Sequence, residues 1–206
     1  MLGACAVLLC ASAACTATQN IESPAGNRTI TDMAGRTVVV PSEITSILCT
    51  SPPSTNLVYM VAPDRLAGWN FAPEKGYTPE QYAALPVVGG WFGKETGNYE
   101  NFISMHPDIV IEGYTTDGGA ALASVAERQQ KLGSIPVVAV EDTVNATGYS
   151  APIRFMGGLL GEEEQAEAMI SFYEGVLATV TERTASIPDD ERVRVYYAEG
   201  PKGLMT

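Results

Sequence analysis

The sequence predicts an α/β protein built on a doubly wound, mainly parallel five-stranded sheet. Short apolar runs, rich in valine and isoleucine, recur at residues 47–50, 66–69, 86–88, 109–111 and 136–140. The segments between them are mostly long enough for helical crossovers, which parallel strands require. The runs show no polar alternation, so both faces of the sheet are expected to be buried.

The remaining elements follow from turn residues and periodicity. Residues 29–40 alternate around a turn at Gly35, which predicts a hairpin before the sheet. Between the strands, helices are expected at residues 55–61, 98–107 and 119–132.

After the sheet, a helix is expected at residues 151–160, ended by Gly161, followed by a long helix over residues 162–186. Its apolar stripe consists of Ala166, Met169, Ile170, Tyr173, Leu177 and Val180. A final strand is expected at residues 193–197.

Composition and charge narrow the possible partners. With 206 residues, 46% hydrophobic and 17% charged, the chain has the composition of a globular protein. A net charge of −12 leaves no basic stripe for phosphates, which argues against nucleic acid and against an anionic membrane surface. The acidity is typical of a solubilising surface on an exported protein; the alternative is a site that collects cations.

The opening segment predicts export. Residues 1–15 are small and apolar, have the length of a signal segment, and are too short to span a bilayer as a mature helix. Ala13-Ala14-Cys15 resembles the end of a lipobox, so lipidation of Cys15 is expected, with simple cleavage as the alternative. Residues 16–27 then form a polar tether. Cys49, the remaining cysteine, is expected to be a small buried hydrophobe.

A candidate binding rim lies where the strands end, because ligands of parallel sheets bind beyond the carboxyl ends of the strands. The rim segments are residues 51–54, 70–71, 90–92, 113–115 and 141–143. Its candidate ligand contacts are Pro53, Ser54, Asn70, Phe71, Gly90, Trp91, Phe92, Tyr114 and Thr115. The glycine-flanked Trp91 lies outside any periodic apolar face, which favours ligand contact over a core position.

Three further features bear on the ligand. The turn at residues 51–55 opens a helix, whose N–H groups and hydroxyls would hold a carboxylate or oxyanion, or simply cap the helix. Lys75 and Lys94 are either contacts for an anionic chelate or solvated side chains. No GxSxG, Walker, HExxH or CxxC motif occurs, so a binding protein is expected rather than an enzyme.

The sequence predicts no protein-built metal site and no intrinsic cofactor. His106 is the sole histidine, and its place in a turn before a strand indicates a structural role. One histidine and one cysteine beyond the opening segment are too few for a tight transition-metal site. A metal, if carried, is expected to arrive already chelated.

Five stretches, in order, resemble the substrate-binding proteins of ABC importers for metal chelates and corrinoids: TITDMAGRTVVVP, ITSILCTSPPST, DRLAGW, LPVVGGW with NYENFISMHPDIVI, and FMGGLLGEEEQAEAMISFYEGV. The resemblance implies two α/β lobes joined by one long helix. It places the first lobe at residues 28–160, the interlobe helix at 161–187, and the start of a second, truncated lobe at 188–206.

The resemblance also implies a function. An extracytoplasmic, lipid-anchored subunit would capture an iron-siderophore-like chelate and deliver it to an ABC permease with its ATPase. Glu100 matches the glutamate with which the first lobe docks onto the permease. Alternatives are a molybdate or tungstate oxyanion, a corrinoid, a non-transport sensor, or an enzyme on a similar sheet. Because one lobe supplies one wall of the cleft, the 206-residue chain is expected to bind at least ~tenfold more weakly than an extended protein.

Overall fold

A hairpin and a parallel sheet form the framework of the protein. The computed structural model describes residues 26–74, 76–93, 95–115, 119–143 and 145–196, and no side chains at 119–121. Strands β1 (Asn27–Thr31) and β2 (Thr37–Pro41) pair antiparallel. Strands β3 (Ile47–Cys49), β4 (Ile109–Tyr114) and β5 (Val137–Glu141) form a parallel sheet in the order β3-β4-β5. The α/β class is confirmed.

Two further segments extend the sheet beyond β3. Leu66 forms a parallel bridge with Ile47, and Trp69 forms one with Val87. Five parallel segments therefore lie side by side, as expected, but the outer two make single bridges instead of full ladders. Pro86 contributes to this, because it has no N–H to donate and only accepts, from the Trp69 amide at 2.9 Å.

Six α-helices occupy the crossovers and the end of the described chain: α1 (Pro52–Val61), α2 (Glu80–Ala83), α3 (Tyr99–Ser104), α4 (Gly119–Leu132), α5 (Ser150–Leu160) and α6 (Glu163–Thr184). Helix α1 begins three residues before the expected start, because prolines suit a first helical turn, where no intrahelical N–H bond is lost. Helix α2 was not expected, since four residues are too few to show periodicity.

The sheet is buried on both faces, as expected. Ile47, Cys49 and Ile111 point to the face covered by the hairpin, α1, α5 and the start of α6. Leu48 and Val110, which alternate with them, point to the face covered by α3 and α4. Cys49 is 0% exposed, and burial raises the pKa of its thiol to about 12, so it is the small buried hydrophobe that was predicted.

The turn of the hairpin covers the outer edge of β5. The Met33 amide donates to the Ala139 carbonyl at 3.2 Å, and Asp32 Oδ2 accepts from the Ala139 amide at 3.1 Å. Arg36 holds Asp32 through two side-chain hydrogen bonds and donates to the Val137 carbonyl at 2.7 Å. The predicted turn at Gly35 is confirmed by its φ of +76°. An otherwise unpaired strand edge is thereby satisfied.

Helix α6 has fully buried residues only along its first two turns, and its packing continues as far as Tyr173, which contacts the Tyr149 ring. Ala166 and Ile170 are buried, whereas Phe172 is 75% exposed and the predicted stripe continues through half-buried Leu177 to exposed Val180. The expected strand at 193–197 does not form over its described residues, 193–196, which are exposed and pair with no other described strand. Across the described helices, none combines the length and apolarity needed to cross a membrane.

Candidate functional site

Two adjoining cavities open along the carboxyl ends of the strands. The first, here called the charged cavity, has a volume of about 310 Å³, and its lining includes Ser51, Trp91, Glu112, Tyr114, Arg128 and Asp142. The second, here called the aromatic cavity, has a volume of about 280 Å³ and includes Pro52, Tyr59, Trp69, Asn70 and Phe71. The turn before α1 separates them, so the rim predicted from the sequence does carry concave surface.

Three oxygen atoms converge on Gly113, at the end of β4. A Cβ atom on this glycine would fall within 2.7 Å of Asp142 Oδ2, Ser54 Oγ and Ser51 Oγ. The two serine hydroxyls lie 3.0 Å apart and share a hydrogen bond. Burial and the nearby Glu112 carboxylate raise the pKa of Asp142 to about 6, although a hydrogen bond from Ser54 opposes the shift. Glycine is therefore required for this polar cluster to exist.

A buried ion pair forms the opposite wall of the charged cavity. Arg128 Nε lies 3.4 Å from Glu112 Oε2, and both side chains are almost fully buried. Neither of these two atoms makes a hydrogen bond within the described structure. Burial raises the pKa of Glu112, and a hydrogen bond from Thr50 and the positive charge of Arg128 partly offset the rise. The pair therefore retains unused hydrogen-bonding capacity beside the cavity.

Trp91 is half-buried between the core and the charged cavity. Its ring lies 4.5 Å from the Tyr99 ring centroid and 5.1 Å from that of Phe102. The Arg128 guanidinium carbon lies 4.5 Å from the Trp91 ring centroid, a cation–π distance. Gly97 packs so closely that a Cβ there would lie 2.7 Å from the indole. The indole is held rigidly and lines the cavity, so both the core and the ligand interpretations describe part of its environment.

Asn70 and Gly90 lie beneath the rim and hold its loops together. Asn70 is 3% exposed and donates to the Cys49 and Gly89 carbonyls at 2.8 and 2.7 Å, while its carbonyl accepts from Thr55. A Cβ on Gly90 would lie 2.7 Å from the Asn70 amide nitrogen. Both amide hydrogens of Asn70 are thus already used, which favours a supporting role; a direct ligand contact by either residue stays a prediction.

The other predicted contacts divide by exposure. Ser54 is fully buried, and Pro53 is exposed. Phe71 and Phe92 are 51% and 54% exposed and line the aromatic and charged cavities, respectively. Half-buried Tyr114 and exposed Thr115 line the charged cavity. Exposed Glu100 lies away from both cavities, in the first turn of α3. Lys75, Lys94 and Cys15 lie outside the described residues.

The start of α1 offers few donors to an anion. Ser51 is its N-cap, and Pro52 and Pro53 fill the first two helical positions. Proline has no N–H, so two of the amides that normally bind an anion at a helix start are missing. The Thr55 amide donates to the Ser51 carbonyl at 3.0 Å. The structure therefore does not favour an oxyanion site here, and the capping interpretation finds no support either, because the Ser51 side chain makes no cap hydrogen bond.

The sequence reasoning missed the ionisable residues of the charged cavity. Asp142 lay within a predicted rim segment but was not singled out, and Glu112 and Arg128 were not considered. Two signals were available: a glutamate that directly follows the apolar run of β4, and an arginine one turn before the buried end of α4. Charged residues in otherwise apolar elements are rarely buried without a partner.

The described side chains contain no group of three or more His, Cys, Asp or Glu that could hold a metal ion. His106 lies between α3 and β4 with a φ of +49°, and its amide donates to the Ile103 carbonyl at 3.1 Å. It therefore ends α3 at the amino edge of the sheet, far from the two cavities, in the structural position that was predicted.

Three solved structures show what the chain is similar to. An ABC transporter solute binding protein from Sulfurospirillum deleyianum is 28% identical, with a TM-score of 0.71 over 84% of this chain and 54% of its own. The molybdate-bound MolA of Haemophilus influenzae is 18% identical, with a TM-score of 0.66 over 84% of this chain and 58% of its own. A siderophore periplasmic binding protein of Thermobifida fusca is also 18% identical, with a TM-score of 0.52 over 70% of this chain and 52% of its own. At 18% identity the likeness shows the fold alone.

The chain spans about half the length of the solved structures it matches. No curated protein sequence matches it. The sequence profile of the periplasmic binding proteins matches residues 47–206, more than half of the chain and all of the parallel sheet. The resemblance seen in the sequence and the observed fold therefore agree, and the chain belongs to the periplasmic binding protein family.

Proposed function

We propose that this protein is the extracytoplasmic substrate-binding subunit of an ABC importer, and that its cargo is a metal chelate of the iron-siderophore kind. The observation that carries the proposal is the set of aromatic rings at the rim: exposed Phe71 and Phe92, with half-buried Trp91 in the lining of the charged cavity. Aromatic rings give wide apolar contact to a large chelate at little entropic cost. The likeness to the Sulfurospirillum solute binding protein supports the transport role.

A free oxyanion is the second candidate cargo, and the rim chemistry favours it less. Oxyanions such as molybdate need several converging N–H donors, and Pro52 and Pro53 remove two of them from α1. A corrinoid also fits an aromatic rim, and it belongs in any ligand screen. An enzyme needs a nucleophile with a base; Ser51 and Ser54 bond to each other, and the sole histidine lies at the other edge of the sheet.

The experiment that tests the proposal is native mass spectrometry of the full-length protein against ferric chelates, a cobalamin and molybdate. A stable adduct with a ferric chelate supports the proposal, and an adduct with molybdate alone contradicts the cargo. Turnover of a chelate that is lost on Asp142→Asn would contradict the binding role itself, since a carrier releases its ligand unchanged.

We also propose docking of the first lobe onto a permease through Glu100. This carboxylate is exposed and lies in the first turn of α3, where the positive helix end stabilises it. Glu100→Gln should reduce chelate uptake by cells and leave chelate affinity unchanged. Glu80 is a matched control, because it is an exposed acid in the first turn of α2. Equal uptake by the Glu100→Gln and Glu80→Gln proteins would remove Glu100 from the docking surface.

Membrane attachment through a lipid on Cys15 is the remaining proposal. It is supported by the Ala13-Ala14-Cys15 sequence and by the family, whose members are periplasmic binding proteins. Cys15→Ala should release the protein from membranes, and Cys10→Ala, in the same apolar segment, should not. A mature N-terminus at another residue, without a lipid in the mass spectrum, would contradict the anchor.

A further inference from the structure

Among the described residues that line it, the charged cavity contains more negative than positive charge. The acidic and basic side chains in this lining are Glu112, Asp142 and Arg128. The Nε of Arg128 lies 3.4 Å from Glu112 and makes no hydrogen bond within the described structure, while the rest of its guanidinium donates to the Tyr99 hydroxyl and lies over Trp91. Asp142 forms no ion pair with any described residue. A ligand entering this cavity therefore meets one carboxylate without a counter-ion.

A second carboxylate also offers an unused acceptor. The Glu112 side chain is 6% exposed, and its Oε2 accepts no hydrogen bond within the described structure. A buried acceptor without a partner is costly, and native proteins rarely leave one unless a ligand or water completes it. Because Glu112 lines the cavity, a donor group on a ligand is positioned to supply the missing bond.

At the start of α1, the described residues offer few donors for an anion. The first two residues of α1 are prolines without N–H groups, and the Ser51 and Ser54 hydroxyls are paired with each other beside Asp142. An anionic group placed here would face the Asp142 carboxylate with few compensating hydrogen bonds. Such like-charge juxtaposition is a means by which binding sites reject ligands.

We propose that the charged cavity selects a chelate that presents a cationic or hydrogen-bond-donating group, such as an ammonium, to Asp142 and Glu112, and that it discriminates against anionic chelates and oxyanions. This inference rests on the proposed function, because it names the chemical class of cargo for the same rim. Asp142 is the residue that sets the charge preference, and the aromatic rings supply contact without regard to charge.

The test compares one chelate with and without its ammonium group, and sets both against two anionic ligands. Calorimetry near neutral pH would use the full-length protein with a ferric trihydroxamate that bears a free ammonium, the same chelate with that amine acetylated, a ferric tris-catecholate and molybdate. We expect the ammonium form to bind about tenfold more tightly than its acetylated counterpart, and the two anions more weakly still.

Two variants complete the design. Asp142→Asn keeps the shape of the side chain and should bring the ammonium and acetylated chelates to equal affinity. Asp189→Asn is the control, since the Asp189 side chain is 96% exposed and far along the chain from the cavity. It should leave the preference unchanged.

Each outcome is decisive. Tighter binding of the tris-catecholate or of molybdate, or an ammonium preference that survives Asp142→Asn, overturns the charge selectivity. The tris-catecholate result would leave the proposed chelate-binding function intact. Binding of none of the chelates removes the proposed function, and the charge selectivity with it.

Discussion

The two edges of the parallel sheet use the same chemical groups in opposite ways. At the amino edge, Asp108 Oδ2 accepts hydrogen bonds from the amide and hydroxyl of Thr45 at 2.7 and 2.9 Å and from the Ser46 amide at 3.0 Å. At the carboxyl edge, Asp142 has a raised pKa and no ion pair within the described structure, and Glu112 Oε2 has no hydrogen-bond partner there.

Arginines show the same contrast. At the amino edge, Arg65 donates to the Leu160 carbonyl at the end of α5 at 2.5 Å and pairs with Glu162 at 2.8 Å. At the carboxyl edge, the Nε of Arg128 makes no hydrogen bond and its guanidinium lies over Trp91. An edge whose polar side chains are all hydrogen-bonded stabilises the fold. An edge with polar atoms that lack a partner can bond to a ligand, at some cost in the free energy of unfolding.

The largest effect is expected from Gly113→Val. The new side chain would displace Asp142 Oδ2 and both serine hydroxyls, because a Cβ alone would lie within 2.7 Å of all three. We expect chelate affinity to fall about 100-fold, or ~2.7 kcal/mol, in calorimetry. Gly158→Ala is the control, since a Cβ there meets nothing within 4 Å. Unchanged affinity in Gly113→Val would show that the polar cluster lies outside the site.

Asp108→Ala tests the amino edge. Removing this carboxylate leaves the Thr45 and Ser46 amides without their acceptor. We expect the free energy of unfolding to fall by about 2 kcal/mol in urea denaturation, with chelate affinity unchanged. A loss of affinity in the folded variant would break the contrast between the two edges.

Asp142→Asn tests the carboxyl edge through the pH dependence of the protein's stability. The pKa of Asp142 rises from 3.8 to about 6 on folding, so the folded state holds the proton more tightly than the unfolded chain. The stabilisation from this carboxyl is fully present below about pH 3.8 and is lost as the pH rises through 6. Asparagine cannot ionise, so above pH 6 the variant should be more stable, by roughly 2–4 °C in Tm.

The same variant should gain nothing below about pH 3.8, where the parent carboxyl is protonated in both states. Several groups interact electrostatically with this region: Glu112, whose pKa is also raised, Arg128, which opposes that rise, and the Cys49 thiol. Equal stability of the variant and the parent above pH 6 would show that burial and Glu112 raise the pKa of Asp142 less than the structure indicates.

Much of the fold could be predicted because buried strands and helices have recognisable patterns of apolar residues in the sequence. The apolar runs of β3 and β4, the turn at Gly35 and the end of α5 at Gly161 each follow from local residue chemistry. The candidate rim followed from strand ends alone. Its ionisable cluster did not, because Glu112, Arg128 and Asp142 come from three different elements that only the tertiary fold brings together.

Two features at the end of the described chain show why a sequence pattern alone does not decide burial. The strand expected at 193–197 has suitable valines but finds no described partner strand, and a strand without a neighbour has no ladder to join. The apolar stripe of α6 is real as a pattern, yet beyond Ile170 no described element buries it. Pattern predicts which residues prefer burial, while packing partners decide whether they are buried.

A tryptophan fluorescence titration shows whether a chelate binds at the charged cavity. The 206-residue chain has two tryptophans: Trp91 at the charged cavity, and Trp69, which is 6% exposed and donates from its indole to the Tyr82 carbonyl. In Trp69→Phe the remaining signal comes from Trp91, and a ferric chelate should quench it in a saturable way. In Trp91→Phe the remaining Trp69 signal should change little. Saturable quenching of equal size in both variants, or none in Trp69→Phe despite calorimetric binding, would contradict a chelate site at the charged cavity, because Trp69 lines the aromatic cavity instead.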